Sequence, residues 1–558
     1  MPGRALRSPA LLCVFIYLGL CLATALVWEP AHDEGITWYQ AIGHLAPLRE
    51  PAEPIPITRL YSIIDGASSL SADGVIEGLM ESGGMHPPAY YVGLRMWSRL
   101  VGTRRLALVA PALVLGLFSL FGIRRLARLL VPGERAGDWA MLVSALSPWL
   151  VGYSVLARPY ALALCLAIWS TLAVLAMGAA EHRRAWRAAF VLLSVLGLYT
   201  LYHYAFVLAW QLSLLGLRAL RRQSERRSAL LELACLVALI AAGFAPWVPR
   251  LLIHMQVTGE AEYYFSGFVP LGLWPEYGWR LLLLFGLGES VSAAGGGGLQ
   301  LAFAGLVLCT LVLLIRDLLS SGRGPVGSEA RLLWQSLPLL PVLISGADWL
   351  RDTHTLFITK TSFALFPFLV LAGVRGWLLC ERRWLGRLGL WALSLLLAAA
   401  SVSNLYTRSV AQTPFEQVAE YLRGTDRESH VVALSSIYPG YSFPLLLSLR
   451  KAGVENVKIA FVPWHRLEAF VDGIGGGAAS PVVERLTLLN LDVDYDADQT
   501  WQLDLLQRIE SRARGAGFRV RTLGPAAAAT TPPRATGGVG QGRPLWIVTP
   551  VRVKYFSM

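Results

Sequence analysis

Long apolar runs alternate with short polar segments over the first four hundred positions. The runs cover residues 10–27, 106–122, 136–153, 159–179, 186–201, 204–220, 229–250, 298–315, 332–349, 355–378 and 386–402. An α-helix crosses a bilayer with about 20 predominantly apolar residues, so the pattern predicts a polytopic α-helical membrane protein with about 11 transmembrane helices. There is no internal repeat. Residues 87–101 fit this pattern poorly. Pro87 and Pro88 open a run that carries Tyr90, Tyr91 and Trp97 but is interrupted by Arg95 and Arg99. It is too short and too charged to span, and a helix lying along the membrane surface is expected.

The gaps between runs are of two sizes. Most are short, but residues 35–85 hold Pro51, Pro54, Pro56 and a Gly/Ser-rich stretch around Gly83, which predicts a large loop with short surface helices. Residues 252–297 predict a long aromatic loop with a partly inserted segment at 279–287. From about residue 405 the composition becomes that of a water-facing domain. Residues 431–437, 457–462 and 545–548 read as buried strands, and Pro414–Arg423 and Ala497–Arg514 as helices. Strands alternating with helices predict a C-terminal α/β domain. Ala526–Arg543, rich in Ala, Thr, Pro and Gly, reads as a mobile loop. The expected division is 1–404 for the membrane domain, with 28–105 as its first external loop, and 405–558 for the α/β domain.

Composition sharpens the picture. The chain is 55% hydrophobic and 15% charged, with a mean hydropathy of +0.51, whereas a water-soluble protein carries about 25% charged residues. A net charge of +12 invites a nucleic-acid reading. The arginines, however, gather between the apolar runs, as positive-inside topology and anionic headgroups require, and no nucleic-acid partner is expected. Arg4 and Arg7 place the N-terminus in the cytoplasm. Reading 87–101 as interfacial puts Arg124, Arg125, Arg128 and Arg135 inside as well, and the C-terminal domain outside. The expected location is the bacterial inner membrane. Residues 1–27 also resemble a cleaved signal peptide, with Ala23-Thr24-Ala25 at the end, but the apolar run is long enough to remain as a first helix. Cys13, Cys21, Cys165, Cys235, Cys309 and Cys380 lie in or beside apolar segments without metal-type spacing, and read as packing residues.

This topology gathers the chemistry at the outer face. Asp33 and Glu34 directly follow the first helix, where a carboxylate near apolar surface is a candidate base; a solvated pair or a helix N-cap is the simpler alternative. His86, fixed by Pro87-Pro88, is either a phosphate or hydroxyl contact or a plain helix start. Arg158 in Ala157-Arg158-Pro159-Tyr160 is either a phosphate clamp or a headgroup contact. Tyr199–Tyr204 forms an aromatic turn that holds His203. Lys360 sits a turn into a helix and pairs with an anion or reaches the interface. Arg351 and Asp352 suit each other as a pair, and Arg104 and Arg105 lie at the same face.

In this order the motifs resemble those of the GT-C polytopic glycosyltransferases. They come nearest to the bacterial protein O-mannosyltransferase and aminoarabinose-transferase branch of the polyprenyl-phosphate-mannose-protein mannosyltransferase superfamily. The resemblance rests on Asp33-Glu34, His86–Tyr91, Ser147-Pro148, Ala157–Leu162 and Tyr199–Tyr204, and covers about residues 8–402. It implies transfer of a sugar from a polyprenyl-phosphate donor to a glycan, lipid or protein acceptor. Asp33 would act as general base and Glu34 would assist or orient it. His86, Arg158, Tyr160, His203, Lys360, Arg104 and Arg105 would then contact the donor phosphate or substrate. Some relatives carry an acid in the second outer loop, but this chain reads Ser154–Tyr160 without one. It also has Lys360-Thr361 where relatives often have Arg-Tyr. A divalent cation, Mg or Mn, is thus an open cofactor that the sequence does not require, and no metal ligands are assigned. The competing functions are a lipid or polysaccharide transporter, which predicts polar residues at mid-membrane and an inverted repeat, and a non-catalytic assembly factor.

Overall fold

The computed structural model describes residues 9–28, 32–41, 55–65, 72–81, 86–178, 182–221, 223–261, 267–293, 297–320, 328–410, 414–423, 430–435, 442–461, 485–490, 508, 511, 518–523 and 543–548. The chain is a multi-pass helical membrane protein. Five helices are long and apolar enough to cross a bilayer by length and composition: Pro9–Val27, Arg105–Leu130, Arg226–Met255, Gly297–Arg316 and Arg383–Thr407. Two shorter apolar helices, Tyr160–Ala176 and Phe363–Leu378, accompany them.

Several expected spans are broken, and prolines explain most of the breaks. The run at 136–153 is two helices, Ala136–Ala145 and Pro148–Ser154. Pro148 takes the first turn of the second helix, where its missing N–H leaves nothing unsatisfied. The run at 332–349 divides likewise, into Ser328–Ser336 and Leu339–Arg351, with Pro338 at the N-cap of the latter. The run at 355–378 is helical only from Phe366, with Pro367 in its first turn. The expected aromatic loop at 252–297 is largely helical, as Val248–Ala261 and Trp274–Ala293. Gly288 kinks the latter with φ +74°, a conformation that suits glycine. A side chain there would meet Pro148 and Asn404.

The bundle has two chemically distinct ends. Arg124 and Asp138 pair at one end (2.7 Å), and Trp334 and Arg375 both donate to the Leu130 carbonyl there. Arg316 pairs with Glu381 at the same end. At the opposite end lie the starts of Arg105–Leu130 and Tyr160–Ala176, the Tyr199–Tyr204 turn and residues 352–365.

The C-terminal half carries a six-stranded sheet. Its strands are β1 (Ile55–Pro56), β2 (His430–Ser435), β3 (Val457–Phe461), β4 (Arg485–Asn490), β5 (Phe518–Leu523) and β6 (Arg543–Val548), in the order β1-β3-β2-β4-β6-β5. All neighbours are parallel except β1 with β3. Parallel sheets favour apolar strands, and the apolar runs at 431–437 and 457–462 predicted β2 and β3. β4 and β5 are additional to the strands the apolar pattern predicts, and Arg519 and Arg521 break the apolar run in β5. The expected helix at 497–514 lies outside the described residues apart from 508 and 511, and the expected loop lies outside them up to residue 542. The helix Arg383–Val410 continues past residue 404.

The first external loop does not stand apart from this sheet. β1 comes from that loop and pairs Ile55 with Ile459. Tyr61 donates its hydroxyl to the Val454 carbonyl at 2.7 Å, and the Arg450 guanidinium lies 5.9 Å over the Tyr61 ring. The short helix His32–Ala41 packs on Ala72–Glu81, on Ala89–Val101 and on Ser442–Lys451. Sequence distance thus hides a contact between the acid-bearing helix and the C-terminal half.

Candidate functional site

Four segments meet where the first helix ends. Helix His32–Ala41 contributes Glu34 and Thr37, both buried. The Pro87-Pro88 segment contributes His86. It is pinned by the Ala89 N–H, which donates to the Tyr199 carbonyl at 2.9 Å. The start of Arg105–Leu130 supplies Arg105. The turn between Pro148–Ser154 and Tyr160–Ala176 supplies Ala157, Arg158 and Tyr160.

Glu34, only 4% exposed, is held through both oxygens. The Ala157 backbone N–H donates to Oε1 at 3.1 Å, and Arg105 donates to Oε2 at 3.4 Å. Arg105 also donates to the Ala25 carbonyl at 2.6 Å, so it ties the end of the first helix to the acid. Arg158 is equally buried. Its guanidinium donates to Thr37 Oγ1 at 3.0 Å and to the Tyr160 hydroxyl at 3.2 Å, and lies 3.0 Å from His86 Nε2. The rigid fork of arginine reaches all three at once, which a lysine cannot do. His86 stacks on Tyr91 with centroids 6.0 Å apart.

Among the described side chains, Glu34 is the carboxylate at the centre. The Asp33 side chain lies outside the described residues, although its backbone begins the same helix. Arg104 and Arg105 diverge, because Arg104 caps a helix and is exposed while Arg105 turns inward. Tyr90 and Tyr91, expected at the membrane surface, are buried, since their helix face packs on the acid-bearing helix. Burial pushes the Tyr90 phenol well above its ordinary range, Glu34 adds to that and Arg158 opposes it. The Tyr90 hydroxyl has no hydrogen-bond partner among the described residues.

A second group lies beside the first. His203, half-buried in the Tyr199–Tyr204 turn, is pushed down to about 4 by burial. Asp348 acts against that fall, while Arg351 and Lys360 reinforce it. Lys360 is not inside a helix. It sits in an irregular stretch between turns at Thr355–Phe357 and Phe363–Leu365. The reason is Asp348, near the end of the helix Leu339–Arg351. Its Oδ1 accepts from the Thr353 hydroxyl (2.7 Å), the Thr355 N–H (2.9 Å) and the Thr355 hydroxyl (2.6 Å), and its Oδ2 from the Leu356 N–H (2.8 Å). An aspartate this well satisfied locks the turn in place of a helix. The Asp348…Thr353…Thr355 spacing was the available signal. Asp352 takes a left-handed backbone (φ 51°) and accepts from the Phe268 N–H at 2.8 Å. Tyr153 joins the two groups, through a 3.0 Å hydrogen bond to Thr359 and edge contact with Tyr160.

No group of three metal-ligating side chains occurs among the described residues. The carboxylate oxygens of Glu34 are engaged by N–H donors, and the groups around it are guanidinium, imidazole and phenol. Such a set suits an anion better than a divalent cation. Of the cysteines, Cys13, Cys21 and Cys165 are buried and Cys380 is partly so. Cys235 and Cys309 are exposed, on helices that turn most of their surface outward.

No family model matches the chain, and no curated protein does. Among solved structures it is similar to the oligosaccharyltransferase of Archaeoglobus fulgidus, described as a complex with zinc and sulfate, with 11% identity and a TM-score of 0.46. The match covers 79% of this chain and 61% of the archaeal one, so the chain spans less than two thirds of that relative. It is also similar to ArnT from Cupriavidus metallidurans in the apo state, with 16% identity and a TM-score of 0.33 over 83% of this chain and 91% of that one.

Proposed function

We propose that the chain is an inverting membrane glycosyltransferase. It moves a sugar from a polyprenyl-phosphate donor to a glycan, lipid or protein acceptor at the outer face of the bacterial inner membrane. The supporting observation is the constellation of buried Glu34, Arg158 and Tyr160 with half-buried His86, on and beside the helix that carries Asp33. In this reading Glu34 is spent on positioning, because both its oxygens hold the turn and Arg105. Asp33, one residue earlier on the same helix, is the base. The acceptor hydroxyl gives its proton to the Asp33 carboxylate while its oxygen attacks the anomeric carbon. The bond from that carbon to the phosphate oxygen breaks, and its electron pair stays on the phosphate. Arg158 and Lys360 stabilise the charge that grows there. His203, neutral at pH 7, bonds an oxygen without adding charge.

The test is transfer from radiolabelled polyprenyl-phosphate sugars in membranes. The wild type is expected to transfer label, and Asp33→Asn to lose about a hundredfold or more, as befits a general base. Full activity in Asp33→Asn would remove it from that role. Donor uptake without transfer by the wild type would favour a transporter, and neither uptake nor transfer a non-catalytic assembly role.

A further inference from the structure

The acid-bearing helix His32–Ala41 holds the turn before Tyr160–Ala176 at two points. Glu34 Oε1 accepts the Ala157 backbone N–H at 3.1 Å. Thr37, one turn further along, accepts from Arg158 Nη1 on its hydroxyl oxygen at 3.0 Å. The two contacts fall on consecutive residues and govern different things. The first fixes where the arginine leaves the backbone, and the second fixes where its guanidinium ends. Thr37 and Arg158 are both buried, so water does not compete for the bond between them.

Helix periodicity adds a third member. Asp33 precedes Thr37 by four residues, and positions at that spacing share a helix face, with Cβ atoms about 5–6 Å apart. Gln40, also buried, continues the same face. Polar side chains on a buried helix are costly to desolvate unless they meet partners. For Thr37 one such partner is Arg158, the cation that the proposed reaction sets against the donor phosphate. The backbone position of the base and the end of that cation are thereby set from one short helix.

We propose that Thr37 is a positioning residue, which holds the Arg158 guanidinium in register with Asp33 for sugar transfer. The inference rests on the transferase reading, in which Arg158 stabilises the leaving phosphate. Thr37 acts through that arginine. Removing its hydroxyl takes an acceptor away from the buried Nη1, and a buried donor that loses its acceptor is costly enough to turn the guanidinium elsewhere. Charge that develops on the phosphate then meets a displaced cation, which slows the chemical step more than it weakens donor binding. A packing role for the same side chain predicts the opposite ranking of variants. Valine keeps the shape of threonine and loses the hydroxyl. Serine keeps the hydroxyl and loses a methyl group.

The experiment is transfer from radiolabelled polyprenyl-phosphate sugars by the full chain in membranes, with kcat and the donor KM measured separately. Thr37→Val should lower kcat about tenfold, the scale of one hydrogen bond to a charged group, and move the donor KM much less. Thr37→Ser should recover most of kcat. Added to Arg158→Gln, which removes the guanidinium, Thr37→Val should cost less than about threefold more, because its contact is already gone. Wild-type kcat in Thr37→Val, or a loss in Thr37→Ser as large as that expected of valine, would overturn the inference and leave Thr37 to packing. The serine variant decides the matter if Thr37→Val fails to fold. Full additivity in the double variant would also overturn it. Absence of transfer by wild type would bring down the transferase reading and this inference with it, whereas full activity of Thr37→Val beside an active wild type brings down this inference alone.

Discussion

Two carboxylates in this protein are each held by arginines, and they could hardly be less alike. Glu34 is 4% exposed and accepts a backbone N–H as well as Arg105. Glu232 has a side chain 22% exposed and is held by the arginines Arg183 and Arg187, which are 38% and 31% exposed. The same residue types therefore do different work. In a desolvated place an ion pair cannot be replaced by water, and losing one partner strands the other. In a half-wet place water and salt stand in for either partner. The first arrangement fixes geometry, and the second tunes local charge.

The largest expected effect follows from this contrast. Glu34→Ala strands the Ala157 N–H and leaves Arg105 without its acid, so a stability loss of about 3–5 kcal/mol is expected. Glu34→Gln keeps an acceptor for that N–H and should lose less. Thermal unfolding in detergent separates the two. Equal losses would mean that the backbone bond to Glu34 contributes nothing.

Arg158→Lys comes next. It keeps the charge but cannot meet Thr37, His86 and Tyr160 together. A fall in kcat/KM of about a hundredfold, the scale of a misplacement of about 1 Å, is expected. If Lys restores full transfer, charge alone matters and the fork geometry does not.

How much of this was legible follows the range of the forces involved. Apolar periodicity is local, so the long apolar helices, the helix that follows Pro87-Pro88 and the Tyr199–Tyr204 turn could be read directly. The candidates Glu34, His86, Arg105, Arg158 and Tyr160 could be read as types, because each is polar beside a membrane run. Which of Arg104 and Arg105 turns inward could not, since that depends on Glu34 arriving from another segment. Asp348 was passed over because an acid within an apolar run looks like noise until its threonine and backbone donors are in place. The pairing of Ile55 with Ile459 joins positions about four hundred residues apart, and no local pattern carries that information.

Tyr90 sharpens the comparison further. Its hydroxyl is buried beside Glu34 and Arg158 without a hydrogen-bond partner among the described residues. Tyr90→Phe should leave stability unchanged or raise it, since an unsatisfied polar group is removed. If the hydroxyl meets substrate, KM should rise about tenfold, the worth of one hydrogen bond to a charged group. Unchanged kinetics would make Tyr90 a packing residue.

His203 tests the same end by pH. Its folded pKa, about 4, lies below the ordinary histidine value of about 6.5. The unfolded chain therefore takes up the proton first. The stability this group contributes is complete above about pH 6.5 and is lost as the pH falls through about 4. His203→Asn should flatten that part of the unfolding profile. A phosphate held near Lys360 and Arg351 would favour the imidazolium, raise the folded pKa toward the unfolded value and so shrink the fall, and donor added at pH 5 should stabilise wild type more than the variant. No difference would separate His203 from the anion site.

The smallest effect belongs to the other carboxylate. Glu232→Gln removes a partly exposed acid that Arg187 and Arg183 share, and such pairs contribute about 0–1 kcal/mol. Unfolding should move little, and the difference should vanish in high salt, unlike that of Glu34→Ala. A stability loss as large as that of Glu34→Ala would show that exposure does not distinguish the two acids.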